Sequence, residues 1–433
     1  VLEKLLNIFR IPDLRKKLLF TLGMFVIYRI GGHITLPGID ATALLKQFEN
    51  LRGTLLGLYD IFSGGNLSRA TIFALGIMPY ISTSIILQLL GAVIPYYQRL
   101  QKEGEEGRRK ITQHTRYGTV MLAAIQGLAM SIMLERLGPG VVINPGMGFR
   151  LISVLTMTSG TIFIMWLGEQ ITERGIGNGI SLIIMIGIVA RYPSDALSAL
   201  RLFQGGVHGM FFYLILLVIV VFITAAVVFI TQGQRRIPVQ YARRVVGRKV
   251  YGGQSTFIPL NVNAAGVIPI IFAQSVIMLP TTIAQFLPKS GWMESIMAVM
   301  TPGYWLYNVI YAVLIIIFAY FYTAIIINPA DLADNMKKYG GFIPGKRPGA
   351  KTSEYIDRII TRITLPGAVF FAFIAILPMY LIVHFKVPFF FGGTSLLITV
   401  GVLLDTVQQI EAQLMMRHYE GFLKKGKIRG RRR

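Results

Sequence analysis

Ten apolar stretches dominate the chain, and each is long enough to need a bilayer or a large core around it. They run over 18–36, 72–95, 117–134, 149–171, 176–192, 207–231, 264–287, 304–327, 365–384 and 389–410. A helix crosses the hydrocarbon layer with about 20 predominantly apolar residues. The pattern therefore predicts an all-α integral membrane protein with ten transmembrane helices. The fifth stretch is short, and Pro, Gly and polar residues interrupt several others. With 54% of its residues hydrophobic, 15% charged and a mean hydropathy of +0.60, the chain does not read as a soluble multidomain enzyme, in which charged residues make up about a quarter. Charged residues from Glu3 to Lys17 precede a first run too long for a signal-peptide core, so no cleavable signal is expected. The chain opens at Val1 without methionine, and a residue or more is expected upstream.

The loops between the stretches carry charge unevenly. Lys and Arg number 33 in the N-terminal segment, 96–116, 172–175, 232–263, 328–364 and 411–433, against 9 in the alternate set. Positive residues collect on the cytoplasmic side, so both termini are expected in the cytoplasm. Ten spans divide into two sets of five, and an odd number per half makes the halves inverted. A faint echo supports this: Gly76-Ile77-Met78-Pro79-Tyr80-Ile81 opens the second stretch and Gly266-Val267-Ile268-Pro269-Ile270-Ile271 the seventh.

The segment 59–75 is too polar to span and too apolar for water. Gly64-Gly65 gives it a flexible start, and Ser68 is placed to help cap a short helix. Non-helical backbone at membrane depth persists where it is buried in protein or lines a cavity. A re-entrant piece is the sharper reading, and an external loop with a surface helix is the competing one.

The chain has no cysteine, which excludes disulfides, thiolate metal sites and cysteine nucleophiles. Its five histidines show no metal-ligand spacing, and no cofactor is expected. Gly340-x-x-x-x-Gly345-Lys346 imitates a phosphate-binding loop, but Arg347 stands where a magnesium-binding hydroxyl belongs and no strand precedes it. Gly175-Ile176-Gly177-Asn178-Gly179 reads as a tight cytoplasmic turn. Arg29, Glu169 and Asp405 are the ionisable residues nearest the membrane interior. They form no paired carboxylates and no relay, so ion-coupled transport is weakly supported. Loops 232–263 and 328–364 hold Arg235, Arg236, Arg243, Lys346 and Arg347 away from the span ends. Arginine-rich hairpins suit phosphate or carboxylate partners through bidentate bonds, which points to a large cytoplasmic partner.

Several motifs resemble the SecY/Sec61 alpha family of protein-conducting channels. They are Phe62-Ser63-Gly64-Gly65 with Ser68-Arg69-Ala70 and Gly76 to Ser82, Ile171 to Ser181, Arg235 to Ala242, Asn263 to Pro269, Phe342 to Gly349, and Phe391 to Ile398. They follow in order along essentially the whole chain.

The resemblance implies two inverted five-helix halves and a short re-entrant plug helix over Asp60, Ile61, Phe62, Ser63, Gly64, Gly65, Asn66, Leu67, Ser68 and Arg69. It implies a constriction ring of Ile77, Ile81, Ile180, Ile184, Ile271 and Ile398, and a lateral gate holding Ser82, Thr83, Gln88, Asn263 and Gln274. Arg235, Arg236, Arg243, Lys346 and Arg347 would dock the SecA motor ATPase or the translating ribosome. SecE and SecG would be the companion subunits, and signal sequences, unfolded preproteins and lipid the other partners.

The layout expected is a cytoplasmic segment over 1–17, an N-terminal half over 18–192, an external hinge loop over 193–206, a C-terminal half over 207–410 and a basic cytoplasmic tail over 411–433. The function implied is conduction of unfolded polypeptides across a bacterial inner membrane, without enzymatic chemistry. An inverted-repeat transporter of a small solute is the alternative, and it would need Asp405.

Overall fold

The computed structural model describes residues 11–49, 57, 59–60, 63–138, 140–204, 209–241, 244–246, 249–251, 255–284, 304–385 and 393–425. These fall into two compact units. The first takes the described residues within Val1–Ser194, Pro280–Lys289 and Val402–Arg433; the second takes those within Asp195–Leu279 and Ser290–Gly401.

The first unit opens with α1 (Pro12–Gly31), whose proline sits where its missing N–H is no loss. Asp13 in its first turn and Arg29 in its last complement the helix dipole. The short α2 (Ala41–Glu49) follows Asp40. The Asp40 carboxylate accepts the Thr42 hydroxyl at 2.6 Å and the amides of Thr42 and Ala43 at 2.8 and 3.3 Å. Those bonds, the Thr42 hydroxyl's first, hold the Asp40 carboxyl below its ordinary range.

Next come α3 (Met78–Val93) and α4 (Pro95–Lys102), bent 98° from each other. Pro95 cannot donate into α3, and it pushes Ile94 into an extended conformation (φ −91°, ψ 122°). The long α5 (Glu105–Arg136) and α6 (Met147–Arg174) pack together, and α7 (Gly179–Val189) packs on α6. The α6–α7 turn is the tight one expected: Gly177 takes φ +88°, and the Asn178 side chain accepts the amides of Ile180 and Ser181 at 3.2 and 3.3 Å. A Cβ on Gly179 would overlap the Gly168 carbonyl, so only glycine lets α7 start this close to α6. α8 (Tyr192–Gln204) follows; its first three residues belong to the first unit and the rest to the second.

The second unit includes α9 (Met210–Gln232), α10 (Ile268–Ala284) and α11 (Trp305–Ile326). α9 leaves Phe211, Leu214, Leu217, Val218, Val221 and Phe222 exposed, as a helix facing lipid does. Between α9 and α10 lie β1 (Gln234–Tyr241), β2 (Arg244–Val246), β3 (Lys249–Tyr251) and β4 (Ser255–Asn261). After α11 come α12 (Pro329–Lys338), β5 (Gly341–Phe342), α13 (Ala350–Phe385) and α14 (Gly393–Lys425), whose last part belongs to the first unit. β1 is central in an antiparallel sheet of order β4-β1-β5, with Arg236 opposite Pro259 and Gln240 opposite Phe342. Ile237, Val239, Leu260, Met336, Ile343, Ile356 and Ile360 form the core beneath it.

All ten predicted stretches contain a helix. Among the described residues, seven helices are long and apolar enough to cross a bilayer, and the bent α3–α4 pair makes an eighth. The second helix starts at Met78 rather than residue 72, because Ile72, Phe73, Ala74 and Leu75 lie in turns. Phe73, Ala74 and Leu75 are buried there. α13 begins at Ala350, well before the apolar run, where Glu354 pairs with Lys351 at 3.0 Å and Arg358 at 3.5 Å on successive turns. The segment expected as a plug helix is helical at 57 and 59–60 and forms turns over 63–70. Gly64 and Gly65 take φ +75° and +79°, which no α-helix accommodates. Ile61 and Phe62 lie outside the described residues.

Candidate functional site

The turn-rich hairpin of residues 63–70 is packed into the first unit. Its far end joins the chain after α1: the Leu36 amide donates to the Ala70 carbonyl at 2.8 Å and the Ile72 amide to the Ile34 carbonyl at 2.9 Å. Leu67 and Ala70 are fully buried, in a core with Leu36, Leu75 and Met157. The Tyr28 hydroxyl on α1 donates to the Ser63 carbonyl at 3.3 Å, and the Asn66 amide nitrogen donates to the Tyr28 oxygen at 3.3 Å. Gly64 lies against Gly187 of α7, where a Cβ on Gly64 would stand 2.8 Å from the Gly187 Cα.

Asp60 holds the hairpin's near end. One carboxylate oxygen accepts the Ser68 amide at 2.8 Å, and the other takes the Arg191 guanidinium at 2.9 Å. The Arg69 guanidinium, on the exposed side, donates to His33 Nε2 at 3.2 Å, while His33 Nδ1 donates to the Arg29 carbonyl at 2.8 Å. Nothing in the sequence pattern singles out Arg191, Tyr28 or His33, because their partners are 131, 35 and 36 residues away.

The six isoleucines expected to form a ring divide between the units. Ile77 caps α3, and its carbonyl accepts the Ile81 amide at 3.1 Å; both side chains are buried. Ile180 and Ile184 stand one turn apart on α7. Ile184 is buried, and half-buried Ile180 lies over Gly168 of α6. In the second unit Ile271 is buried on α10 and Ile398 on α14.

Among the residues expected at the gate, Ser82 and Thr83 are buried on α3, and the Thr83 hydroxyl donates to the Pro79 carbonyl at 2.9 Å. The Gln88 amide donates to the Ser84 hydroxyl at 3.1 Å. In the second unit Asn263 lines a small cavity with Thr323, Thr364 and Phe371. Among the described residues the Asn263 amide nitrogen, Ser275 Oγ and the Tyr311 hydroxyl meet no hydrogen-bond partner, and the Gln274 amide lies beside the Tyr307 hydroxyl. Helix contacts here are therefore under-satisfied polar ones, which cost free energy in a dry interior.

The basic residues share one platform, a convergence the sequence reading did not anticipate. Arg235 and Arg236 are exposed on β1, with the Arg236 guanidinium 4.8 Å from the Phe257 ring centre across the sheet. Lys346 and Arg347 are exposed in the turn between β5 and α13, with Lys346 Nζ 5.2 Å from the Tyr355 ring centre. Since β5 pairs with β1, the two loops that carry these residues meet in a single sheet. The available signal was the alternation of Ile237 and Val239 with polar neighbours. Arg243 lies outside the described residues.

Of the ionisable candidates, Glu169 is bound by Arg116 through two bonds of 2.9 and 2.7 Å, and Asp405 is exposed on α14. Among the described residues no group of three or more His, Asp and Glu is placed to hold a metal ion.

Comparison with known proteins places these features in a family. The family model described as SecY matches residues 71–407. The chain is 50% identical to the protein translocase subunit SecY of Escherichia coli K12 over 425 residues, 96% of each chain. It is similar to a solved SecY structure whose plug domain is described as stabilising the closed state of the translocation channel and maintaining a membrane seal. That match has a TM-score of 0.67 and 19% identity, over 96% of this chain and 95% of the other. It is also similar to Sec61 in a canine ribosome–channel complex from the endoplasmic reticulum, with a TM-score of 0.64 and 17% identity over 96% and 95% of the two chains.

Proposed function

The chain belongs to the SecY family, and from that premise we propose that it is the channel subunit of a bacterial protein translocase. It passes unfolded preproteins through the membrane and releases apolar segments sideways into lipid. The observation that carries this reading is the family match at 50% identity over 96% of the chain. The chain is a multi-pass membrane protein; its place is the bacterial inner membrane, with both termini cytoplasmic, as the charge bias of its loops supports. It carries out no chemistry of its own. The small-solute transporter reading, which would need Asp405, is not favoured, since the family is that of a translocase.

The proposed parts act by simple physics. Ile77, Ile81, Ile180, Ile184, Ile271 and Ile398 form a collar with no hydrogen-bonding groups, poorly wetted and indifferent to the sequence sliding past. The hairpin around 60–69 seals the resting channel. Ser82, Thr83, Gln88, Asn263 and Gln274 make the lateral gate separable, because polar side chains, which water can satisfy once the gate parts, hold an interface less firmly than aliphatic packing. Signal sequences supply the apolar helix that parts it. Arg235, Arg236, Arg243, Lys346 and Arg347 dock the SecA motor or ribosomal RNA, and contacts to RNA phosphates weaken steeply with salt. SecE and SecG complete the complex.

Reconstitution tests the reading. Vesicles holding the channel complex, supplied with SecA and ATP, should bring a secretory preprotein into a protease-protected state. Protection equal to that of empty vesicles would refute the assignment.

A further inference from the structure

We infer that Arg191 is a positioning residue of the resting channel, clasping the 63–70 hairpin to the end of α7 through its ion pair with Asp60. The inference rests on the reading of that hairpin as the seal. Asp60 is a buried acid whose side chain is 6% exposed, and its two carboxylate oxygens do different work. One accepts the Ser68 amide and so closes the hairpin on itself; the other takes Arg191, which is 22% exposed and sits between α7 and α8. Asp60 thus ties the hairpin's internal fold to a point just past the end of the helix that carries Ile180 and Ile184.

The other contacts on the hairpin's buried side contain no charge; they include the Gly64–Gly187 backbone approach and the Tyr28 bonds to Ser63 and Asn66. The Arg69–His33 bond lies on the exposed side, where water weakens it. Backbone approach and neutral hydrogen bonds break one at a time as the hairpin slides. A partly buried ion pair is different: removing one partner strands the other charge in a poorly hydrated place. Both charges regain water once the hairpin leaves, so the pair adds little to the displaced state. The clasp therefore biases the resting equilibrium toward the seated hairpin and leaves the conducting state nearly unchanged.

The test uses the channel complex purified from membranes and sealed into iodide-loaded vesicles. Arg191→Gln should raise resting iodide efflux about tenfold, the effect of losing about 1.4 kcal/mol of bias. Arg191→Lys should stay close to wild type, because it keeps the charge. Asp60→Asn, whose amide oxygen still accepts the Ser68 amide, should leak like Arg191→Gln, and combining the two should leak no more than about twofold beyond either alone, because both remove the same pair. Arg150→Gln, which breaks a separate ion pair with Glu135 in the same unit, should leak no more than wild type.

Efflux from Arg191→Gln equal to wild type overturns the clasp. So does a double variant whose leak is the product of the two single effects, since Asp60 and Arg191 would then act independently. Preprotein transport is read on the same vesicles. A wild type that transports nothing counts against the channel assignment, whereas the efflux pattern alone decides the clasp.

Discussion

Gly64 and Gly65 are neighbours in the proposed seal with the same backbone conformation and opposite surroundings, so alanine at each separates strain from contact. Both have φ near +80°, at +75° and +79°. Alanine at either position carries the left-handed penalty of about 1 kcal/mol. A Cβ at residue 65 meets nothing within 4 Å. A Cβ at residue 64 stands 2.8 Å from the Gly187 Cα, 3.2 Å from the Tyr28 hydroxyl and 3.3 Å from the Gly187 carbonyl oxygen. Two of those are backbone atoms that cannot rotate away, so the hairpin must lift from α7. Overpacking of this kind costs about 1–3 kcal/mol. Gly65→Ala should therefore raise resting iodide efflux from channel vesicles about fivefold. Gly64→Ala should exceed Gly65→Ala by a further factor of about 5–150. Equal efflux from the two variants would refute the reasoning, because it would mean that residue 64 does not rest on residue 187 in the closed channel.

Three further outcomes follow from the same geometry. Gly179→Ala should destabilise the protein by about 1–3 kcal/mol or more through collision with the Gly168 carbonyl, seen as a lower unfolding temperature in detergent, while Gly148→Ala, with open space around it, should not. Gln274→Leu replaces a buried amide of the proposed gate with an aliphatic side chain; it should tighten the closed arrangement and slow preprotein transport, and unchanged kinetics would count against a polar gate. Arg347→Glu reverses an exposed charge in the turn before α13; it should impair SecA-driven transport or ribosome binding while the chain still inserts at wild-type levels, and wild-type transport would refute the docking role.

The transmembrane plan was legible because it rests on composition alone. A run of apolar residues reports burial in lipid whatever it packs against, so each of the ten stretches holds a helix. Boundaries were less legible where local rules compete. Ile72 to Leu75 are as apolar as any span, yet they lie in turns, with Phe73, Ala74 and Leu75 packed into the core of the first unit. The bend after Val93 was signalled by Pro95, and the turn before α7 by Gly177 and Asn178, since those residues act on their own backbone. The joining of the two basic loops by β5 left no such mark, because β5 has two residues and its partner lies about a hundred positions earlier. Asp60 stood in the odd segment, but the arginine that binds it lies 131 residues away in a loop where it counted as one charge among many.

The central claim is that a polypeptide passes through the collar of isoleucines. A preprotein stalled midway by a folded domain at its end, in channels carrying a photo-crosslinker at residue 77, 184 or 271, tests it most directly. The account predicts strong crosslinks from all three positions and none from residues 211, 222 and 229 of α9, which are 82%, 72% and 78% exposed on the surface assigned to lipid. A stalled chain that crosslinks to none of the three isoleucine positions, or equally to the α9 controls, would contradict it.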